Sequence, residues 1–214
     1  MRADLARLVA IVPVRSLSGS KSRLGDSLDP EERAELILAL LRRTVEAALA
    51  AGSLAGVTVV SRDPAAVAAM RQLGAEALLQ ETDGLNEGLA EARAAIGTKA
   101  TALVVLPADI PSVDAAAIER LADKAREAIA QSPDRPVVLL VPDHHGSGTN
   151  ALLVSPPTVV DFHFGQGSRR AHAEAARAAG ASYVEAGGPL TFDVDTPDDL
   201  LLADLRGLDH EGGR

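Results

Sequence analysis

The sequence predicts an α/β domain in which helices cover both faces of a largely parallel central sheet. Short apolar segments, such as residues 8–14 and 102–106, alternate along the chain with longer amphipathic segments that begin with helix-capping residues. Parallel strands need long crossover connections, usually helices, so this alternation is typical of a parallel sheet. We predict strands near residues 8–14, 57–61, 75–79, 102–106, 137–141, 151–154, 182–186 and 190–194.

Capping residues mark where the predicted helices begin, and glycines mark where they end. Asp29, Pro30, Glu31 and Glu32 combine an N-cap, a proline at the first helical position and acids in the first turn. They predict a helix that runs to Gly52. Further predicted N-caps are Asp63, Asn86, Ser112, Ser168 and Thr196, and further predicted helix ends are Gly74 and Gly180.

Length and composition indicate one domain without a membrane segment. The chain has 214 residues, which suits a single domain over residues 1–208 followed by a flexible tail at 209–214. It has no cysteine, no secretory signal ahead of the first strand, and no apolar run near the roughly 20 residues that a membrane span needs. We therefore expect a cytoplasmic protein. Its net charge of −9 argues against non-specific binding of nucleic acid.

Three aspartates follow predicted strands and are candidates for metal binding. Asp193 and Asp195 are two residues apart at the end of the predicted strand 190–194, where side chains at that spacing point to the same face. Asp109 follows the strand 102–106. The alternative role for each is to cap a turn or helix, but Ser112 is better placed than Asp109 for that purpose. We predict metal binding by Asp109 and by at least one of the later pair.

Three loops have the composition of anion-binding sites. Residues 15–24 are rich in small residues and contain Lys21 and Arg23, although the P-loop spacing is absent and a solvated surface loop is equally compatible. Residues 146–149 form a predicted turn that offers amide and hydroxyl donors. Residues 164–172 begin a helix with two arginines, which are electrostatically unfavourable there unless an anion is nearby. The adjacent His144 and His145 lack the partners of a zinc site and are predicted to be loop residues.

Taken in order, these motifs resemble one enzyme family. The resemblance covers nearly the whole chain and rests on their combination, because no single motif is specific. The family is that of the guanylyltransferases of coenzyme F420 biosynthesis, which act on 2-phospho-L-lactate or phosphoenolpyruvate. The segments that carry the resemblance are residues 14–17, 21–24, 85–86, 106–111, 146–150, 164–168 and 193–197.

The resemblance implies a fold and a set of site residues. The fold would be a single-domain, nucleotidyltransferase-like three-layer sandwich with a mostly parallel central sheet, similar to molybdopterin guanylyltransferases. Metal ligands would be Asp109, Asp193 and Asp195, and the phosphorylated three-carbon acid would be held by Thr149, Gly165 and Ser168. Lys21 and Arg23 would face the GTP phosphates, and with Asp109 they would be the catalytic residues. Nucleotide-binding residues would be Arg15, Lys21, Arg23, Asn86 and Pro107. Arg15 stands where the family often has lysine, so its role is left open.

The function that we expect is Mg²⁺-dependent transfer of GMP from GTP to a phosphorylated three-carbon acid, with release of pyrophosphate. The acid could be phosphoenolpyruvate, 2-phospho-L-lactate or 3-phosphoglycerate. The Ala-rich, Lys-poor composition is typical of a high-GC bacterium rather than an archaeon, and for a bacterial member the resemblance to the family implies phosphoenolpyruvate. Two alternatives remain: a cytidylyl- or sugar-nucleotide transferase on the same fold, and a non-catalytic nucleotide-binding subunit. Related proteins suggest a homodimer.

Overall fold

A seven-stranded sheet forms the centre of the protein, within the residues 2–14 and 29–193 that the computed structural model describes. The strands are β1 Leu8–Val14, β2 Leu54–Ser61, β3 Glu76–Leu79, β4 Ala102–Val105, β5 Val137–Pro142, β6 Thr149–Ser155 and β7 Ser182–Glu185. Their order in the sheet is β3-β2-β1-β4-β6-β5-β7. All neighbours are parallel except β6, which runs antiparallel to both β4 and β5. The sheet is therefore mostly parallel, as the sequence predicts.

Helices lie on both faces of this sheet and give the molecule three layers. They are α1 Pro30–Ala50, α2 Pro64–Gln72, α3 Leu85–Ile96, α4 Ala115–Gln131 and α5 Ser168–Ala178. One apolar core packs α1, α2 and α4 against the sheet, and a second packs α3 and α5 against the other face. Along β1, Ala10 and Val12 belong to the first core and Val9 and Ile11 to the second, as expected when side chains alternate across a doubly covered strand.

The helix boundaries confirm some of the predicted caps. The Asp29 side chain accepts hydrogen bonds from the amides of Glu31 and Glu32, and the Glu32 carboxylate accepts one from the Asp29 amide, which completes the capping box. Asp63 caps α2 in a similar way. Gly74 and Gly180 follow the ends of α2 and α5 with positive φ, the conformation that glycine tolerates best.

Three other predicted caps are wrong, each by one or two residues. Helix α4 is capped by Asp114, whose carboxylate accepts from the Ala117 amide at 2.6 Å, while Ser112 lies outside the helix in the preceding turn. Gly84 and Gly167 occupy the N-cap positions of α3 and α5, which places Asn86 and Ser168 inside the first turn of each helix. Both glycines have positive φ. Their backbone geometry determines where each helix begins, because no side chain caps it.

The predicted strand at residues 190–194 is also wrong over its described part. Pro189–Thr191 form a single 3₁₀ turn, closed by hydrogen bonds from the Thr191 amide and hydroxyl to the Gly188 carbonyl at 3.1 and 2.8 Å. Gly188 has φ 120°, which lies outside the strand region, and Leu190 of this turn is buried in the first core. Asp193 therefore follows a turn, and the argument from strand alternation does not apply to it. Asp195 lies outside the described residues, as does the predicted cap Thr196.

Among the described helices, none has both the length and the apolarity of a membrane span.

One titratable side chain is fully buried in the second core. The His172 ring on α5 is 0% exposed, and burial lowers its pKa to about 4, with a smaller contribution from the nearby His163. The ring is therefore neutral at physiological pH.

Burial of His172 predicts a loss of stability in mild acid. Above pH 6.5 the ring is neutral in both the folded and the unfolded chain. Below pH 6.5 the ring binds a proton in the unfolded chain, whereas in the folded chain it stays neutral down to about pH 4. We expect this group to lower the free energy of unfolding by about 2 kcal/mol between pH 7.5 and pH 5. Urea unfolding at the two pH values measures the effect.

A control separates the effect of His172 on the pH dependence of stability from that of the carboxylates, which also titrate in acid. His172→Gln should remove the part of the pH slope that this ring contributes, whereas His163→Gln, at an exposed histidine, should retain most of it, because His163 makes only the smaller contribution to the pKa of His172. Equal slopes in the wild-type protein and in His172→Gln would contradict the prediction.

Candidate active site

The candidate residues collect at the carboxyl edge of the sheet. The parallel strands end at this edge, and β6 begins there because it runs in the opposite direction. Asp109 follows β4, and Thr149 is the first residue of β6. In open α/β sheets ligands bind beyond the carboxyl ends of the strands, so this edge is the expected place for a site.

A shift in strand register determines where the start of β6 points. Val141 pairs with Ala151, but the next residue of β5, Pro142, pairs with Thr149, so Asn150 is an extra residue in the ladder. Ala151 belongs to the core on the α1 and α4 face. With the extra residue, the Thr149 side chain instead meets His172 of α5 on the opposite face. Thr149 and Asn150, although adjacent in the chain, therefore contact different parts of the site.

Thr149 lies against α5 and the loop before it. The Thr149 hydroxyl oxygen lies 3.1 Å from His172 Nδ1. Ser168 is buried at the start of α5, and its amide donates to the Gly165 carbonyl at 3.1 Å. The structure thus gathers all three residues predicted to hold the phospho-acid, Thr149, Gly165 and Ser168, around one end of α5.

Helix α3 holds the same loop from the other side. The side-chain Nδ2 of Asn86 donates to the Phe164 carbonyl at 3.0 Å, and its Oδ1 accepts from the Phe164 backbone amide at 2.8 Å. The side chain thus pairs with this backbone as a neighbouring strand would. Arg93 donates to the Val160 carbonyl at 3.0 Å and stacks over the Phe162 ring at 4.9 Å. Asn86 therefore has a holding role for the loop. Its predicted contact with the nucleotide stays a prediction.

On the other side, Asn150 and His144 surround one of the predicted metal ligands. The Asp193 carboxylate accepts a hydrogen bond from Asn150 Nδ2 at 3.1 Å and lies 3.1 Å from His144 Nδ1. Its side chain is only 13% exposed. His144 also contacts the Phe192 ring, with 5.4 Å between the ring centroids. These contacts hold Asp193 at the carboxyl edge although no strand precedes it.

Asp109 has a well-anchored backbone on both sides. Leu106 and Ile110 are fully buried in the core, and the half-buried segment between them carries Asp109 and the predicted nucleotide-binding residue Pro107. Because the two apolar anchors are fixed, the intervening aspartate is held at the end of β4. The Leu106 amide also continues the sheet by donating to the Ile11 carbonyl at 2.9 Å.

The donor chemistry of the aspartates fits a hard divalent cation. Carboxylate oxygens are the ligands that Mg²⁺ prefers, and Asp109 and Asp193 supply them. Within residues 2–14 and 29–193, no group of three or more histidine or acidic side chains could hold a metal ion. The remaining predicted ligand, Asp195, lies outside those ranges, as do Arg15, Lys21 and Arg23.

The two arginines at the start of α5 are paired with carboxylates of the protein itself. Arg169 makes a two-pronged ion pair with Glu185, at 2.9 and 2.7 Å, and also donates to the Gly146 carbonyl at 2.9 Å. This hydrogen-bonded guanidinium lowers the pKa of Glu185. Arg170 pairs with Glu174 on the next turn at 2.8 Å. The protein's own acids therefore supply the anionic partners that the sequence led us to seek in a ligand.

Arg169 also ties the turn at residues 143–148 to α5. Its amide donates to the Ser147 carbonyl at 3.2 Å. Within the turn, the Asp143 carboxylate accepts from the Ser147 amide at 2.9 Å. A Cβ at Gly148 would come within 2.5 Å of Asp143 Oδ2, so only glycine fits there without displacing that carboxylate. The turn is as compact as the sequence predicts.

Sequence reasoning missed three residues of the site: His144, Asn150 and His172. His144 lies in a loop, as the sequence predicts, and from that loop it contacts Asp193. Asn150 and His172 are buried polar residues within otherwise apolar segments, at 5% and 0% exposure. A polar residue in a buried strand, or four residues after a helix-start serine, is the signal that could have identified them.

Comparison with the sequences of known proteins identifies a family. The family model described as "Guanylyl transferase CofC like" matches residues 8–212. A protein of Rubrobacter xylanophilus named phosphoenolpyruvate guanylyltransferase is 44% identical over 92% of this chain and 94% of its own length. Another of that name, from Sphaerobacter thermophilus, is 40% identical over 90% of each chain.

Solved structures agree on the fold. A putative nucleotide-diphospho-sugar transferase from Desulfovibrio desulfuricans superposes with a TM-score of 0.72 over 95% of this chain and 89% of its own, at 14% identity. A nucleotidyl transferase from Methanothermobacter gives 0.65 over 94% and 99%, at 21% identity. The predicted nucleotidyltransferase-like fold is confirmed. The match over residues 8–212 and the identity with full-length relatives show that this chain belongs to the CofC-like guanylyl transferase family of nucleotidyltransferase enzymes.

Proposed function

We propose that this protein transfers the guanylyl group of GTP to phosphoenolpyruvate and releases pyrophosphate, as a Mg²⁺-dependent step toward the side chain of coenzyme F420. The observation that carries the proposal is the 44% identity, over 92% of this chain, with a relative named phosphoenolpyruvate guanylyltransferase. The geometry of the carboxyl edge supports it, because hydrogen-bond donors on one side of β6 and carboxylates on the other suit two substrates that must meet there.

The acceptor acid would bind against the start of α5. Phosphoenolpyruvate carries a carboxylate and a phosphate, both of which accept hydrogen bonds only. The Thr149 and Ser168 hydroxyls and the backbone at Gly165 are donors of matching chemistry, and the amino end of a helix favours negative charge. The two arginines at the start of this helix, Arg169 and Arg170, are paired with Glu185 and Glu174, so binding there depends on directed donors.

The nucleotide would bind toward the end of β1 and β4. Lys21 and Arg23 are the proposed partners of the GTP phosphates, with Arg15, Asn86 and Pro107 as further nucleotide contacts. The cationic side chains would neutralise charge that accumulates on the leaving pyrophosphate. Guanine recognition belongs to this part of the proposal.

The chemistry needs positioning and charge stabilisation. An oxygen of the acceptor phosphate attacks the α-phosphorus of GTP, a new P–O bond forms, and the bond from the α-phosphorus to the bridging oxygen breaks, so that pyrophosphate leaves with the electron pair. Asp109, Asp193 and Asp195 are the proposed ligands of Mg²⁺, which when bound would screen the repulsion between the two anions. The acceptor phosphate is already ionised at neutral pH, so no general base is required.

A substrate panel tests the reaction. Pyrophosphate release should be measured with four nucleoside triphosphates against phosphoenolpyruvate, 2-phospho-L-lactate and 3-phosphoglycerate. We expect kcat/KM for GTP with phosphoenolpyruvate to exceed every other pair by about tenfold or more, because mispaired buried donors penalise the wrong partner. Preference for CTP or for another of the phospho-acids would contradict the proposal, and so would ligand binding without turnover when Mg²⁺ is supplied.

Asp109→Asn tests the metal-binding role of the acid after β4. The substitution keeps the size of the side chain and removes its charge, so we expect a folded protein whose turnover falls by about 10²-fold or more, roughly 2.7 kcal/mol of barrier. Asp134→Asn is the matched control, since Asp134 lies on the surface and pairs only with Arg2 among the described residues. Near-normal turnover in Asp109→Asn would overturn the assignment.

Removal of divalent cations tests the cofactor. With GTP and phosphoenolpyruvate present, an excess of EDTA should reduce pyrophosphate release by about 10²-fold or more, and excess Mg²⁺ should restore it, because the charge on the phosphates is otherwise unscreened. The unfolding midpoint should be followed in parallel, so that a loss of structure is not mistaken for a loss of catalysis. Undiminished turnover in the chelator would rule out the metal requirement.

A further inference from the structure

The buried His172 ring lies beside Thr149 and the loop before α5, in the part of the site where the acceptor acid is proposed to bind. It contacts the Thr149 hydroxyl, the amide of His163 at 3.0 Å and, edge to face, the Phe164 ring at 5.2 Å between centroids. These groups come from β6 and from the loop that leads into α5. The proposed reaction uses no histidine as acid, base or nucleophile, so another reason is needed for a buried imidazole at this position.

The backbone determines which ring nitrogen carries the proton. The His163 amide can only donate a hydrogen bond, so His172 Nε2, its partner, must offer a lone pair. Burial lowers the pKa of His172 to about 4, so at neutral pH the ring has a single proton. That proton must therefore be on Nδ1, the nitrogen that faces Thr149.

The Nδ1 proton in turn determines what the Thr149 hydroxyl can do. A protonated Nδ1 cannot accept, so the hydroxyl oxygen is the acceptor in this contact, and the hydroxyl must direct its own proton elsewhere. Within residues 2–14 and 29–193, no other protein hydrogen bond is made by this hydroxyl. Thr149 is only 9% exposed, so rotation of the hydroxyl into bulk water is restricted.

We propose that His172 is a positioning residue that holds the Thr149 hydroxyl as a hydrogen-bond donor toward a carboxylate or phosphate oxygen of the acceptor acid. The inference rests on the proposed function, because it takes Thr149 to contact that acid. The ring acts through its neighbours and touches neither substrate. By the same contacts it joins Thr149 on β6 to His163 and Phe164 in the loop, so that both parts of the acceptor pocket keep one spacing.

Two substitutions at His172 separate these contacts. In His172→Asn the amide replaces the Nδ1 side of the ring and can still donate to Thr149, whereas in His172→Gln it replaces the Nε2 side and can still accept from the His163 amide. We expect His172→Gln to raise KM for phosphoenolpyruvate about tenfold, the effect of losing a hydrogen bond to a charged group, with KM for GTP within about twofold of wild type. His172→Asn should raise KM for phosphoenolpyruvate less.

A double-mutant cycle with Thr149→Val tests whether the ring acts through the hydroxyl. Once the hydroxyl is absent, adding His172→Gln should raise KM for phosphoenolpyruvate by less than about threefold further. Independent, multiplicative effects would overturn the proposal, and so would equal increases in KM for GTP and for phosphoenolpyruvate, which indicate a general structural defect.

The ring's tautomer gives a test that needs neither a variant nor turnover. Long-range proton–nitrogen correlation spectra of the protein labelled with ¹⁵N-histidine should show a neutral His172 with its proton on Nδ1 at pH 7. A proton on Nε2, or a charged ring, would overturn the proposal. Failure of the proposed function is recognised separately, since the wild-type protein would then turn over no GTP with phosphoenolpyruvate whatever the tautomer.

Discussion

The arrangement of the site depends on the register shift at the start of β6. Because β6 runs against its neighbours, its first residues lie at the carboxyl edge, where the parallel strands end. The extra residue Asn150 then sends two successive side chains to different partners: Thr149 to His172 on α5, and Asn150 to Asp193. A regular ladder would turn Thr149 toward the face of Ala151. One local irregularity thus separates the donor side of the site, which contains Thr149 and the start of α5, from the acidic side, which contains Asp193.

The donor side is organised before any substrate binds. Asn86 pairs with the Phe164 backbone as a strand would, and Arg169 joins α5 to Glu185 and to the Gly146 carbonyl. Both contacts use fixed, two-pronged geometry, which costs less reorganisation than a single flexible contact. The charges of Arg169 and Arg170 at the start of α5 are therefore paired within the protein, and the buried His172 ring is neutral at physiological pH.

Much of the architecture could be predicted from the chain because it follows from local chemistry. Apolar runs predict the strands, and the side chains of Asp29 and Asp63 cap the helices that they precede. The misses have local causes too. Gly84 and Gly167 begin helices through backbone conformation alone, and Gly188 with Pro189 turns a β-like segment into a 3₁₀ turn. The nearby serine and asparagine are better capping residue types, so a prediction based on residue type places the boundary at the wrong residue.

The sequence by itself determined the fold class, because apolar runs and helix-capping residues are local patterns. It also predicted Asp109 as a candidate from its position after an apolar run, and Thr149, Gly165 and Ser168 as candidates from the resemblance of its motifs to a known family. Only the tertiary structure decided the partners. Arg169 pairs with Glu185, His144 and Asn150 with Asp193, and His172 with Thr149. Each pair joins residues on different strands, helices or loops, and their separation along the chain carries no pattern. Which groups meet depends on strand order, register and the packing of α5, which become defined only when the chain is folded.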